Sequence, residues 1–107
     1  MKYYVYAKQI VLDDQVIDKA YLTIEDGKFG PILMEEPQDA PIKDYSQSIV
    51  APGLVDTHIH GYKSHDVMDN DFEGIKVISE GLLSCGVTSW LPTTLTSSAQ
   101  LLNDVCE

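Results

Sequence analysis

The sequence predicts an α/β chain: an N-terminal antiparallel β-sheet followed by the first two βα units of a truncated (β/α)8 barrel. Three observations carry this reading. Residues 2 to about 35 are rich in Tyr, Val and Ile and are punctuated by tight-turn residues. From residue 48 onward the texture becomes strand, loop, helix, strand, helix, the order of parallel βα units. A closed barrel of this kind needs about 250 residues, and the chain has 107. The division expected is 1–50 for the sheet portion and 51–107 for the two βα units.

The elements follow in order. YYVYAKQIVL is the first strand, and Asp13-Asp14-Gln15 is a turn. VIDKAYLTIE is the second strand; Ala20, Leu22 and Ile24 alternate with Tyr21, Thr23 and Glu25, which suits one buried face. Asp26-Gly27 is a strong tight-turn signal, and KFGPILM is a third strand that Pro31 places at an edge or a bulge. Residues 35–47 carry acids and two prolines and read as a loop. SIVAPGLVDTHIH is an apolar run bounded by Pro-Gly, and GYKSHDVMDN is a polar loop.

Asn70 and Glu73 have the N-x-x-E spacing of a capping box, so a helix is expected to about Cys85. Its predicted buried stripe is Ile75, Ile78, Leu82 and Leu83, and Gly86 is a good residue to end it. VTSWLPTTL reads as a second buried strand with Trp90 in the core. Ser97 or Ser98 then caps a last helix, which reaches Glu107 without a terminator. The expectation is therefore the front end of a larger enzyme.

Charge narrows the partners. The formal net charge is -10, from 17 acids and 7 bases, and every base is a lysine. Nucleic acid and anionic membranes are poor partners for such a chain. The absence of arginine removes the usual bidentate clamp for phosphate or carboxylate. Cys85 and Cys106 form no disulfide framework and read as reduced thiols, consistent with a cytoplasmic location. The first residues are not a signal peptide, because Lys8 and Gln9 break the apolar run.

The chemistry-bearing stretch is Pro52 to Gly61, PGLVDTHIHG. Residues two apart on a strand share a face, so His58 and His60 project together, with Asp56 on the same side. Two imidazoles so placed can hold one divalent ion; a catalytic zinc takes about three protein ligands plus water. The other reading is a pair of polar residues at a strand end. The pair's position after an apolar strand, where α/β catalysis sits, favours the metal. In the following loop, His65 lies beside Asp66. Neighbouring residues rarely pair side chain to side chain, so His65 reads as a loop or substrate-side residue. Asp66 and Asp69 read as Asx-type braces. Thr93 and Thr94 end the second strand, and one of them can line the site.

PGLVDTHIHG resembles the first barrel strand of the amidohydrolase superfamily, PG-(apolar)-(apolar)-D-x-H-x-H. HGYKSHDVMD followed by GLLSCGVTSWLPTTLTSS resembles the N-acetylglucosamine-6-phosphate deacetylase family. The resemblance covers residues 48 to about 100. It implies a small β-sandwich built from both chain ends, to which the N-terminal strands contribute. It implies a divalent metal (Zn, Fe or similar, one or two ions) and an amino-sugar phosphate as the small-molecule substrate. It also implies a homo-oligomer, a dimer for the parent enzyme, with no nucleic acid and no membrane. His58 and His60 match the family's HxH pair, and Asp56 is expected to brace them by hydrogen bonding. Gly61, His65 and Thr93 are the candidate substrate-side residues. The family's bridging glutamate, later histidines, catalytic aspartate and phosphate contacts match nothing here, so the isolated chain is expected to be inactive. Tyr62 and Lys63 depart from the family's glycine-rich loop. Two alternatives stay open: another amidohydrolase, dihydroorotase-like or another amidase, and a non-catalytic stand-alone fragment.

Overall fold

The computed structural model describes all of Met1–Glu107 as two compact units, Met1–Pro52 and Gly53–Glu107. The first is all β. Strands β1 (Lys2–Val11), β2 (Val16–Glu25), β3 (Lys28–Leu33) and β4 (Ile42–Val50) form one sheet in the order β3-β2-β1-β4. The β1–β2 and β2–β3 pairs are antiparallel. The Leu12 N–H donates to the Gln15 carbonyl across the first turn. Asp26 and Gly27, at φ 50° and 75°, form the second, the left-handed pair that matches strand twist in a two-residue hairpin. Pro31 sits on the edge strand, where a missing N–H is tolerated.

Two expectations need correction. The sheet is mixed rather than antiparallel, because β4 runs parallel to β1. Part of the region read as a loop is therefore strand, from Ile42 onward. Its sequence, IKDYSQSIV, is too polar to announce itself. The pairing comes from β1, whose Tyr4 N–H also binds the Pro41 carbonyl at 2.8 Å.

Ala7, Ile10, Ala20, Leu22 and Ile24 make the core of this unit, flanked by Tyr3, Val5, Leu12, Ile17, Ile32 and Val50. Inward residues are 3, 5 and 7 on β1, then 10 and 12; on β2 they are 24, 22 and 20, then 17. Alternation thus changes phase in both strands at the same rung, Lys8 opposite Lys19, where Lys19 has φ 50°. Pairing resumes in unchanged register at Gln9↔Asp18. On the other face, Tyr6 stacks on Tyr21 at 4.6 Å, and Thr23 is as buried as the core although alternation predicted it outward.

The second unit contains β5 (Leu54–Ile59), the short hairpin β6 (Gly61–Tyr62) and β7 (His65–Asp66), and a 3-10 turn (Val67–Asp69). Helix α1 (Phe72–Ser84), β8 (Val87–Pro92) and α2 (Ala99–Cys106) follow. β5 and β8 pair in parallel. Neither is the buried strand expected: Leu54, Val55 and Leu91 are about 60% exposed, because a two-stranded ribbon covers little of its own surface.

Helix α1 ends as anticipated, with Gly86 at φ 86°, but its cap differs. Asp71, not Asn70, is the N-cap and accepts from the Glu73 N–H. Asn70, at φ 50°, instead terminates the 3-10 turn, and the capping box belongs to Asp66 and Asp69. The buried face is Gly74, Ile78, Gly81 and Leu82, while Leu83 is exposed. Trp90 is only half-buried, and its indole N–H donates to Ser79 Oγ at 3.1 Å. Ser98 caps α2. No helix is long and apolar enough to cross a membrane.

Candidate metal half-site at the end of strand β5

Strand β5 ends at Ile59 and places His58 and His60 on one side of the chain. Their Nε2 atoms lie 3.1 Å apart, with the rings edge to face at 4.9 Å. Such a separation suits two nitrogens sharing one ion at the usual Zn–N distance of about 2.0–2.1 Å.

The His58 backbone and the His60 ring are each held by a neighbour. Asp56 Oδ1 accepts the His58 N–H at 3.0 Å, so Asp56 braces the strand and does not touch either imidazole. His60 Nδ1 lies 2.9 Å from the Thr93 carbonyl oxygen. A carbonyl can only accept, so Nδ1 is the protonated nitrogen, and in the neutral ring His60 Nε2 keeps its lone pair. With that lone pair as acceptor, the hydrogen bond between the two rings takes its proton from His58 Nε2.

Thr93 makes further contacts in the same place. Its N–H donates to the Ile59 carbonyl at 2.9 Å, and its Oγ1 accepts the Ile59 N–H at 3.1 Å. The same hydroxyl donates to the Leu91 carbonyl. Thr93 thus inserts its hydroxyl between the Ile59 N–H and the Leu91 carbonyl.

The remaining candidates lie differently. Gly61 is the close-approach point of the β6–β7 hairpin: a Cβ there would collide with the His65 carbonyl. His65 turns its ring to helix α1, where Nδ1 lies 2.9 Å from the position a Cβ on Gly74 would take. Packing thus accounts for it, and no third imidazole or carboxylate joins His58 and His60: nowhere do three His, Cys, Asp or Glu side chains gather to hold a metal. Tyr62 and Lys63 lie in the ordered β6–β7 hairpin, whose turn residues, Lys63 and Ser64, have φ 51° and 64°. The role of Thr93 as a clamp was missed from sequence.

No family model matches the chain. The structure resembles that of N-acetylglucosamine-6-phosphate deacetylase from Pasteurella multocida, with a TM-score of 0.87 over 98% of this chain and 28% of that one, at 22% identity. Among curated proteins, N-acetylglucosamine-6-phosphate deacetylase of Bacillus subtilis (strain 168) is 37% identical over 90 residues, 81% of this chain and 23% of the relative. N-acetylgalactosamine-6-phosphate deacetylase of Escherichia coli O157:H7 is 31% identical over 91 residues, 85% of this chain and 23% of its own length. The chain is thus related to the amino-sugar-phosphate deacetylases. Within that class it matches an N-terminal portion of N-acetylglucosamine-6-phosphate deacetylase, spanning about a quarter of the length of these relatives.

Proposed function

We propose that this chain is the N-terminal part of a cytoplasmic, metal-dependent hydrolase acting on N-acetylglucosamine 6-phosphate. Water cleaves the acetamide C–N bond, giving acetate and glucosamine 6-phosphate. The observation that carries the reading is the extended similarity to deacetylases, over a segment that includes the paired histidines. In this reading Gly53–Glu107 is the opening of a (β/α)8 barrel, with the histidines at the C-terminal end of its first strand.

His58 and His60 would hold a divalent metal through Nε2, with Asp56 and Thr93 keeping their backbone and ring in place. Such a metal polarises an acyl oxygen and lowers the pKa of bound water toward ~7. Two nitrogens fall short of the three protein ligands, or so, of a catalytic zinc. The other ligands, the proton-transferring carboxylate and the phosphate contacts would come from outside these 107 residues. The 107-residue chain alone is accordingly proposed to be inactive.

The test is acetate release from N-acetylglucosamine 6-phosphate by the full-length parent protein, with its metal content measured beside it. His58→Ala and His60→Ala should each lower metal content and turnover. Unchanged metal and turnover in both variants would remove the pair from the site. No acetate release from the metal-loaded wild type would sink the deacetylase reading.

A further inference from the structure

We propose that Thr93 is a positioning residue for His60, fixing which ring nitrogen is available to a metal. The inference rests on the metal reading of the histidine pair, but its core is a statement about the chain without metal.

At the end of β8 the β5–β8 register slips between Asp56 and Ile59. There the Thr93 hydroxyl stands between the Ile59 N–H, which it accepts, and the Leu91 carbonyl, to which it donates. Thr93 supplies three groups at this point. Its N–H and Oγ1 grip both backbone groups of Ile59, at 2.9 and 3.1 Å. Its carbonyl, thereby held in place, accepts the His60 Nδ1 proton at 2.9 Å.

The consequence is chemical. A neutral imidazole has one protonated and one free nitrogen, and the hydrogen bond at one decides the state of the other. With Nδ1 protonated, His60 Nε2 presents its lone pair toward His58 Nε2 at 3.1 Å. A metal can take that lone pair without any change at His60. His58 must instead move its proton from Nε2 to Nδ1 before its own Nε2 can ligate. The two histidines are unequal: His60 is preset and His58 adapts.

The side-chain hydroxyl makes this testable. Thr93→Val keeps the shape, the carbonyl and the backbone bond to Ile59 but removes the acceptor of the Ile59 N–H, so the carbonyl loses one of its two anchors. Thr93→Ser retains the hydroxyl. Long-range 15N–1H NMR of the labelled chain, without metal and at a pH where both rings are neutral, reads the tautomers directly. The wild type and Thr93→Ser should show His60 as the Nδ1–H tautomer, and Thr93→Val should show a mixture. Zn2+ titration followed by the His60 Nε2 shift should be weaker in Thr93→Val, by up to about tenfold, the lower end of the cost of removing such an outer partner, and restored in Thr93→Ser. An Nε2–H tautomer at His60 in the wild type overturns the proposal without any variant. A pure Nδ1–H tautomer in folded Thr93→Val overturns it as well. The expected tautomers in a parent protein that releases no acetate would leave this inference standing and refute the deacetylase reading alone.

Discussion

The indole N–H of Trp90 on β8 donates to Ser79 Oγ on α1, and the same hydroxyl donates to the Ile75 carbonyl one turn earlier. One serine thus joins strand to helix. Removing the hydroxyl leaves a half-buried indole donor without its partner. Ser79→Ala should cost about 1 kcal/mol, the usual size for one such bond. Trp90→Phe should cost more, through lost packing. A double-mutant cycle by urea denaturation should give a coupling of about 0.5 kcal/mol or more. Additive effects would mean that the bond contributes nothing in solution.

The Lys63-Ser64 turn places two non-glycine residues at positive φ. Left-handed backbone costs an ordinary residue about 1–2 kcal/mol, and part of any relief is offset because glycine makes the unfolded chain more flexible. Ser64→Gly should stabilise the second unit by a few tenths to about 1 kcal/mol, and Ser64→Val should destabilise it. Thermal melts of the two variants check both signs.

The start of α1 offers a direct contest between two residues. Asp71→Ala should cost about 1 kcal/mol, the range for losing an N-cap. Asn70→Gly should be neutral or mildly stabilising, because Asn70 sits at φ 50° and is not the cap. Equal losses in the two would return the cap to Asn70.

Acid sensitivity should be traceable to Asp39. Its hydrogen bonds from Lys2 Nζ (2.7 Å) and the Tyr4 hydroxyl (2.8 Å) hold its carboxyl below the ordinary 3.8. A depressed folded-state pKa contributes stability that is present above 3.8 and is lost as pH falls through the lower, folded value. The same pair raises Lys2, whose share is complete below its ordinary 10.5 and is lost only in strong alkali. Asp39→Asn should therefore flatten the fall in stability of the first unit as pH drops below about 4, and should blunt its salt dependence. Denaturation midpoints from pH 2 to 7 measure both. An acid limb of the same slope in wild type and variant would assign the acid loss elsewhere.

Much of this structure could be read from local chemistry. Asp26-Gly27, Gly86 and Ser98 each stand where backbone geometry asks for those residue types, so turn, helix end and cap were legible. Ala20, Leu22 and Ile24 are buried as their alternation implied. What failed was non-local. Strand β4 exists because β1 offers it an edge, not because its own residues favour extension. The burial of β5 and β8 was overestimated because an apolar strand declares what it would bury, not what covers it. At the histidines, the shared face followed from strand period. The fixing of His60 depends on a carbonyl 33 residues away, and carbonyls leave no mark in a sequence.

The kink shared by β1 and β2 bears on how this hairpin tolerates changes in length. Taking out Lys8 alone would bring Ile10 into step with Tyr3, Val5 and Ala7, yet would throw every rung beyond it out of line with β2. Taking out Lys19 alone does the same from the other side. Taking out both leaves an unbroken two-residue rhythm in each strand, with Gln9 still facing Asp18 and Ile10 still facing Ile17. The two lysines are a matched insertion into an otherwise regular hairpin, one that the geometry permits to be gained or lost only as a pair.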